Sequence, residues 1–262
     1  LAGYLPECGI RRVGIPKMSA MLKKGYLLLG GDVCPRPENR EVFVRGESAQ
    51  LLHGLELEFA GDGMHLVNLE SPLIAAETPI AKSGCCLGNP PEVLRTLKAL
   101  NIAAVGLANN HVFDHGPQGL RTTLSSLREY GIAGFGAGED ATAAAKPLCF
   151  ELDGHPVGVL SVCEHEFSVN ASGATANGLD LLTLLPQIAA LRQEVDFLLL
   201  LFHGGKEYRM LPSPRQQQLC RFLIDQGVDM IVCQHSHTVG AVERHGRRSE
   251  ERRVGKECRS RW

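Results

Sequence analysis

The sequence predicts an α/β fold with two stacked sheets between helix layers. Three observations carry that expectation. Apolar runs of strand length alternate with helical patterns, several runs end abruptly in a polar residue, and one hairpin signal interrupts the alternation.

Gly25 to Gly31 encloses Tyr-Leu-Leu-Leu, which reads as a short buried strand. Residues 47–60 read as a helix or a mixed segment. His65 to Leu69 is the next predicted strand, and the Pro-rich stretch from Ser71 to Pro91 is long enough to be a functional loop. Asn89-Pro90-Pro91 announces a helix over residues 92–100, with Val93, Leu94, Leu97 and Leu100 at helical spacing. A strand predicted at 103–107 leads through Ala-Asn-Asn-His-Val-Phe-Asp-His-Gly to a helix over about 119–130, which Gly131 ends. Glycine alternation from Gly131 to Gly138 predicts a short strand and a turn. Strands over 147–152 and 156–163 form a hairpin across Asp153-Gly154, which makes the second sheet mixed. A helix over 179–195, a strand over 197–202, a helix over 214–226 closed by Gly227, and a strand over 230–233 complete the series.

Composition narrows the function. A formal net charge of −2 argues against a nucleic-acid binder held by phosphate contacts. Much of the positive charge sits in residues 247–262, with seven Lys/Arg against three Glu, so the body is more acidic still. Nine cysteines without a C-x-x-C pair read as free thiols in a reducing compartment, not as a zinc-thiolate site. No apolar run approaches the ~20 residues of a membrane span, and the first residues lack a secretory h-region. The chain as given is therefore expected in the cytoplasm, with membrane association left open. Met18 or Met21 is a plausible start. Residues 1–20 are expected to be an upstream or disordered segment, residues 21–247 the domain, and residues 248–262 a non-native basic tail.

Chemistry concentrates where the apolar runs stop. Asp32 follows Leu-Leu-Leu-Gly-Gly, Glu70 follows Val-Asn-Leu, and Asn110-His111 follow Val-Gly-Leu-Ala-Asn. His203 follows Leu-Leu-Leu-Phe, and His235 and His237 follow Ile-Val-Cys-Gln. Carboxylate, carboxylate, amide and imidazole at successive strand ends form the ligand inventory of a two-metal site. Each has a plainer reading beside it: Asp32 as a turn residue, Glu70 as a loop acid, Asn109-Asn110-His111 as an Asn-rich turn. Two amides and an imidazole after an apolar strand are costly unless they ligate or hydrogen-bond something. Asn110 offers a carbonyl oxygen, His111 a proton for a leaving group, and Asp114 a carboxylate to orient His111. His235 and His237 share one face if their segment stays extended. Lys82 on its Pro/Gly loop is a candidate anion clamp, and Asn109, Lys206, Glu207 and Tyr208 are candidate substrate contacts. His53, His65, His115, His155, His165 and His245 lack this context and read as surface or structural residues.

In order along the chain stand G-D-V-C-P, V-N-L-E-S-P, K-S-G, A-N-N-H-V-F-D-H-G, H-G-G-K-E-Y, P-S-P-R-Q and H-S-H. Together they resemble the capsule-synthesis CapA family of poly-gamma-glutamate production, which is similar to calcineurin-like metallophosphatases. The resemblance spans about Gly25 to Glu243. It implies a four-layer α/β/β/α sandwich of metallophosphatase type, with two divalent ions (Mn, Fe or Zn) between the sheets. Asp32 and His237 would hold one ion and Asn110, His203 and His235 the other. Glu70 would bridge them, and His111 would face the substrate phosphate or acyl group. The implied activity is metal-dependent hydrolysis of a phosphoester or amide. The alternative is a non-catalytic accessory protein that binds an anionic polymer for elongation or export. An anionic polymer or a small phosphorylated or acyl substrate, and membrane-bound capsule synthesis machinery, are the implied partners; nucleic acid is not.

Two departures from the metallophosphatase pattern stand out. Where Asp-x-His is usual, the third residue is Cys34, so one ion is expected to be weakly held or Cys34 to replace the ligand. The familiar pattern also stops near Arg248, so C-terminal strands are expected to be missing and a sheet edge uncovered, with poor stability or aggregation.

Overall fold

The computed structural model describes residues 25–251, apart from residues 53, 56–58, 60, 62 and 247, and only the backbone of 248–251. The expected upstream segment 1–20, residues 252–262 of the expected tail, and part of the segment over 47–60, with His53, lie outside the described residues.

In chain order the elements are β1 (Leu27–Val33), α1 (Arg40–Arg45), α2 (Ala49–Leu52) and β2 (Met64–Leu69). A 3-10 turn at Pro91–Val93 leads into α3 (Leu94–Ala99), then β3 (Ile102–Gly106), α4 (Gly116–Tyr130), β4 (Ala133–Phe135), β5 (Ala137–Gly138) and α5 (Ala141–Ala144). The second half holds β6 (Leu148–Leu152), β7 (His155–Cys163), β8 (Thr175–Ala176), α6 (Leu181–Arg192), β9 (Phe197–His203), α7 (Pro214–Asp225) and β10 (Met230–Gln234). A last pair, β11 (Val242–His245) and β12 (Arg248–Glu251), is antiparallel.

One sheet has the order β1-β2-β3-β4, all parallel. The other has the order β10-β9-β7-β6, parallel except for the β6–β7 hairpin. That hairpin turns at Asp153 and Gly154, both in the left-handed region at φ 49° and 83°, as a two-residue turn of the primed kind requires.

Three apolar clusters separate four layers. On the outer face of the first sheet, Val67, Leu69 and Val105 meet Leu94 and Leu97 of α3 and Leu120 and Leu127 of α4. Between the sheets, Met64, Leu66 and Ala104 meet Val159, Leu199, Leu201 and Val232. On the outer face of the second sheet, Leu198, Leu200 and Phe202 meet Leu184 and Ile188 of α6 and Leu223 and Ile224 of α7. The result is α/β/β/α. Strand β9 explains why its sequence does not alternate: both of its faces are covered, so every position from Leu198 to His203 is buried. Each fully buried leucine contributes about 1.5–3 kcal/mol of transfer free energy.

Local signals fix the helix ends. Ser213 accepts a hydrogen bond from the Gln216 N–H at the start of α7, and Gly131 closes α4 at φ 68°. Helix α4 begins three residues before the expected Gly119, because Pro117 sits in its first turn with φ already set for helix. Helix α1 has no counterpart in the sequence reading; six residues are too few to display a period.

The expected boundary after residue 247 falls inside the β11–β12 hairpin, and β12 lies beside β10 and α7. Strand β10 remains the edge strand of its sheet among the described residues, since β12 pairs only with β11. Among the described residues no helix is long and apolar enough to cross a membrane.

Candidate metal centre

The period of two along each strand decides which side chains reach the space between the sheets. In β2, Met64 and Leu66 face inward, so Asn68 does too, and Glu70 follows in the same phase. In β9, Leu199 and Leu201 face inward, and His203 is next. Strand β1 needs a correction of phase. Leu29 pairs with Leu66 but Asp32 pairs with Asn68, so β1 carries one extra residue at Gly30-Gly31. Without that bulge Asp32 would point outward; with it, the carboxylate turns inward. Gly30 is required there, since a Cβ would come 2.7 Å from Val67 Cγ1.

The H-x-H segment does not stay extended. His235 and His237 both adopt left-handed backbone, at φ 85° and 51°. Strand β10 ends at Gln234, and these two turns re-aim the imidazoles, whose ring centroids stand 5.9 Å apart. The side chains converge as expected, but through costly backbone and not through strand alternation.

The converged groups fall into two sets that share one member. Ligand atoms of Glu70, His203 and His235 lie within 4.8 Å of one another, and so do those of Asp32, Glu70 and His237. His203 Nε2 is 3.5 Å from Glu70 Oε1 and 3.0 Å from Asn110 Oδ1. His237 Nδ1 is 3.6 Å from Asp32 Oδ2, and its Nε2 is 3.8 Å from Glu70 Oε1. All six residues expected as ligands are thus brought to one place. Cys34 belongs to neither set. Burial, then the nearby Glu70 charge, push its thiol up to about 12.

Protonation suits cation binding. Burial opposes ionisation of Asp32, but His203, the His235 N–H and Asn68 outweigh it and leave its carboxyl at about 2. Burial, then the neighbouring His203 and His237, lower His235 to about 4, so its imidazole is neutral at neutral pH. His235 is 6% exposed, and its Nδ1 is buried with no hydrogen-bond partner among the described residues. A neutral nitrogen left that way costs about 1–3 kcal/mol unless something occupies it. The donor set therefore fits divalent cations on the chemistry of its own atoms.

The expected catalytic pair is joined, since His111 Nδ1 lies 2.6 Å from Asp114 Oδ2. Asp114 is fully buried and also accepts from the Leu87 N–H at 2.6 Å. Lys82 is placed differently from a free anion clamp: its ammonium is buried in an ion pair with Asp114, 3.3 Å from His111 Nδ1 and over the Phe167 ring. Lys82→Met is expected to lower unfolding free energy by about 3–5 kcal/mol in urea denaturation, because Asp114 would be left charged and buried alone. Coincident curves would mean that the pair carries no such weight.

Asn109 also differs from an expected substrate contact. It is fully buried, donates to Asn68 Oδ1 and the Leu69 carbonyl, and accepts from the His111 N–H at 3.1 Å. Its amide is spent on holding the loop. Glu207 and Tyr208 stand at the rim, exposed, with the Tyr208 ring 6.0 Å from His237. Of the histidines set aside, His65 and His115 are buried structural residues, hydrogen-bonded to Leu100 and Thr78 respectively.

Sequence reasoning missed two residues. Asn68 donates to Asp32 Oδ1 at 2.7 Å, lies 3.2 Å from His203 Nδ1, and accepts from Asn109. Its signal was available: an amide in an otherwise apolar strand, two residues before Glu70 and so on the same face. Glu164, just past β7, lines the cleft beside Asn110, His203 and His235, and accepts from the Gly205 N–H at 3.0 Å. It too is a polar residue at a strand end, in Cys-Glu-His-Glu.

The fold is a four-layer α/β/β/α sandwich with carboxylates, histidines and an amide gathered at strand ends between its sheets. A crystal structure of a hypothetical protein from Thermus thermophilus has a similar fold, with TM-score 0.53 and 14% identity over 87% of this chain and 75% of that one. The family model described as bacterial capsule synthesis protein PGA_cap matches residues 26–253, and the chain belongs to that family. It is similar to the PGA biosynthesis protein CapA of Bacillus subtilis (strain 168), 29% identical over 58% of this chain and 41% of that protein. It is also similar to a probable polyglutamine synthesis accessory protein of Mycobacterium tuberculosis (strain ATCC 25618 / H37Rv), 28% identical over 71% of this chain and 53% of that one. The chain thus spans less than half of the first relative's length and about half of the second's.

Proposed function

We propose that this domain is a two-metal hydrolase of capsule or poly-gamma-glutamate biosynthesis, acting on a phosphoester or amide. The observation that carries the reading is that two sets of ligand atoms share Glu70. Asp32 and His237 would hold one ion, Asn110, His203 and His235 the other, and Glu70 both. Manganese, iron or zinc in that position would offset charge on a reacting oxygen and generate a nucleophile from water. Asp114 orients the His111 imidazole, which would give a proton to the leaving group. Asn68 and Asn109 hold Asp32 and the His111 loop in register.

An anionic substrate is supported by the neighbouring cleft of about 260 Å³, lined by Lys206 and Arg209 together with Gln234 and Ser236, which flank His235. By family, the polymer or a small phosphorylated or acyl precursor would occupy it, near the capsule synthesis machinery. In this reading residues 21–247 are the site-bearing unit.

The accessory role in the name of the M. tuberculosis relative favours a second reading, in which the same cleft binds the anionic polymer without cleaving it. Turnover of generic phosphomonoester, phosphodiester and gamma-glutamyl substrates separates the two. The hydrolase reading expects metal-dependent rates in the wild type that Asp32→Ala and His203→Ala reduce to background. Equal background rates in all three would leave the accessory reading standing.

A further inference from the structure

Lys82 is the residue of the Pro-rich loop whose placement the metal centre does not explain. Its side chain is 2% exposed, and its ammonium is paired with Asp114, whose side chain is fully buried. The Phe167 ring covers the ammonium as well, with its centroid 5.1 Å from Nζ. A buried ion pair is often no more stabilising than an apolar pair of the same shape, so stability alone does not account for a lysine here.

What the pair holds is His111. The two oxygens of Asp114 are divided between neighbours. Oδ1 takes Lys82, while Oδ2 accepts from the Leu87 N–H at 2.6 Å and stands 2.6 Å from His111 Nδ1. The Ile80 N–H donates to the Asp114 carbonyl at 2.9 Å, so one stretch of loop, residues 80–87, fixes both the backbone and the carboxylate of Asp114. A charged carboxylate against Nδ1 calls for the proton on that nitrogen, which leaves Nε2 as the nitrogen available to a substrate. Lys82 Nζ lies 3.3 Å from Nδ1. Since Nδ1 donates to Asp114 it cannot also accept from Lys82, so the ammonium acts on the ring through the carboxylate. The His111 side chain is 13% exposed, the member of the three that solvent reaches.

We infer that Lys82 is a positioning residue of the same reaction: through Asp114 it fixes the orientation and tautomer of His111, so that Nε2 meets the leaving group. The inference rests on the hydrolase reading above. In the step concerned, the oxygen of water forms the new bond to phosphorus or to the acyl carbon. The leaving group departs with the electron pair of the broken bond, and that pair takes the Nε2 proton. His111 ends neutral with Nδ1–H still on Asp114, and the proton that water loses restores Nε2. Without the ammonium, the charge of Asp114 would be buried uncompensated, the carboxylate would shift to other donors, and the ring would lose its fixed partner.

The test is a double-mutant cycle of Lys82→Met and Asp114→Asn in the Mn²⁺-loaded protein. The substrates are a phosphodiester and a gamma-glutamyl amide, each made with a poor leaving group (an alkoxide or alkylamine) and a good one (p-nitrophenolate or p-nitroaniline). The poor leaving groups depend on a proton from His111 far more than the good ones do. With Lys82→Met, kcat on the poor leaving group should fall about 10–100-fold, kcat on the good one much less, and bound Mn²⁺ should stay as in the wild type. The double variant buries no unpaired charge, so it carries the test if Lys82→Met alone fails to fold. Its kcat should match that of Asp114→Asn, with the same preference for good leaving groups, because Lys82 acts through that carboxylate. Equal losses on both leaving groups, no loss on either, or losses that add in the double variant would overturn the role of Lys82 and leave the hydrolase reading intact. A wild type that cleaves neither substrate would overturn both.

Discussion

Glu70→Ala is expected to cost the protein both ions, a larger effect than any other single ligand replacement would have. Glu70 is 3% exposed, follows β2 in the inward phase, and is the shared member of both ligand sets. Its Oε1 lies 3.5 Å from His203 Nε2 and 3.8 Å from His237 Nε2. Removing it takes a negative charge from between the donors of each ion, so neither position keeps its full set. Elemental analysis after dialysis should fall from about two ions per chain to well below one, and metal-dependent turnover should fall with it. Asp32→Ala, by comparison, should leave the ion at His203 in place. A Glu70→Ala protein that retains two ions would remove the bridge from the account.

His111→Ala is expected to separate chemistry from metal binding. His111 belongs to neither ligand set; Asp114 of its own loop and Lys82 of the Pro-rich loop hold it. A general acid in that position contributes about 10²–10⁴-fold. kcat should therefore drop by that factor while metal content and KM for a phosphoester change little. Asp114→Asn should reproduce part of the loss, because it weakens the hold on the His111 ring. A variant that loses metal along with activity would make His111 a ligand and not a proton donor.

The strands and the candidate residues at their ends are legible because both depend on short-range order. Apolar runs ending in Asp32, Glu70, Asn110 and His203 announce buried strands that deliver polar ends to a rim, and the structure places those ends together. What failed to show was phase. The sequence offers no count of strand residues that reveals the Gly30-Gly31 bulge, yet that bulge decides which way Asp32 points. The left-handed turns at His235 and His237 were equally hidden, since an H-x-H pair reads as extended until its φ angles are known. Lys82 and Asn109 were read as substrate contacts because their types suit ligands. The partners that bury them, Asp114 and Asn68, are 32 and 41 residues distant in the chain, where local pattern carries no information. Asn68 and Glu164 are legible residues passed over: Asn68 is an amide breaking the apolar strand β2 in the same phase as Glu70, and Glu164 is a polar residue at the end of β7.

Electron paramagnetic resonance of the Mn²⁺-loaded wild-type protein tests the central claim most directly, because it reads sharing and not mere occupancy. Two ions bridged by Glu70 are expected to give the broadened spectrum of an exchange-coupled pair, at about two Mn²⁺ per chain. Only the six-line spectrum of isolated Mn²⁺, or no bound Mn²⁺ at all, would contradict the shared two-metal centre.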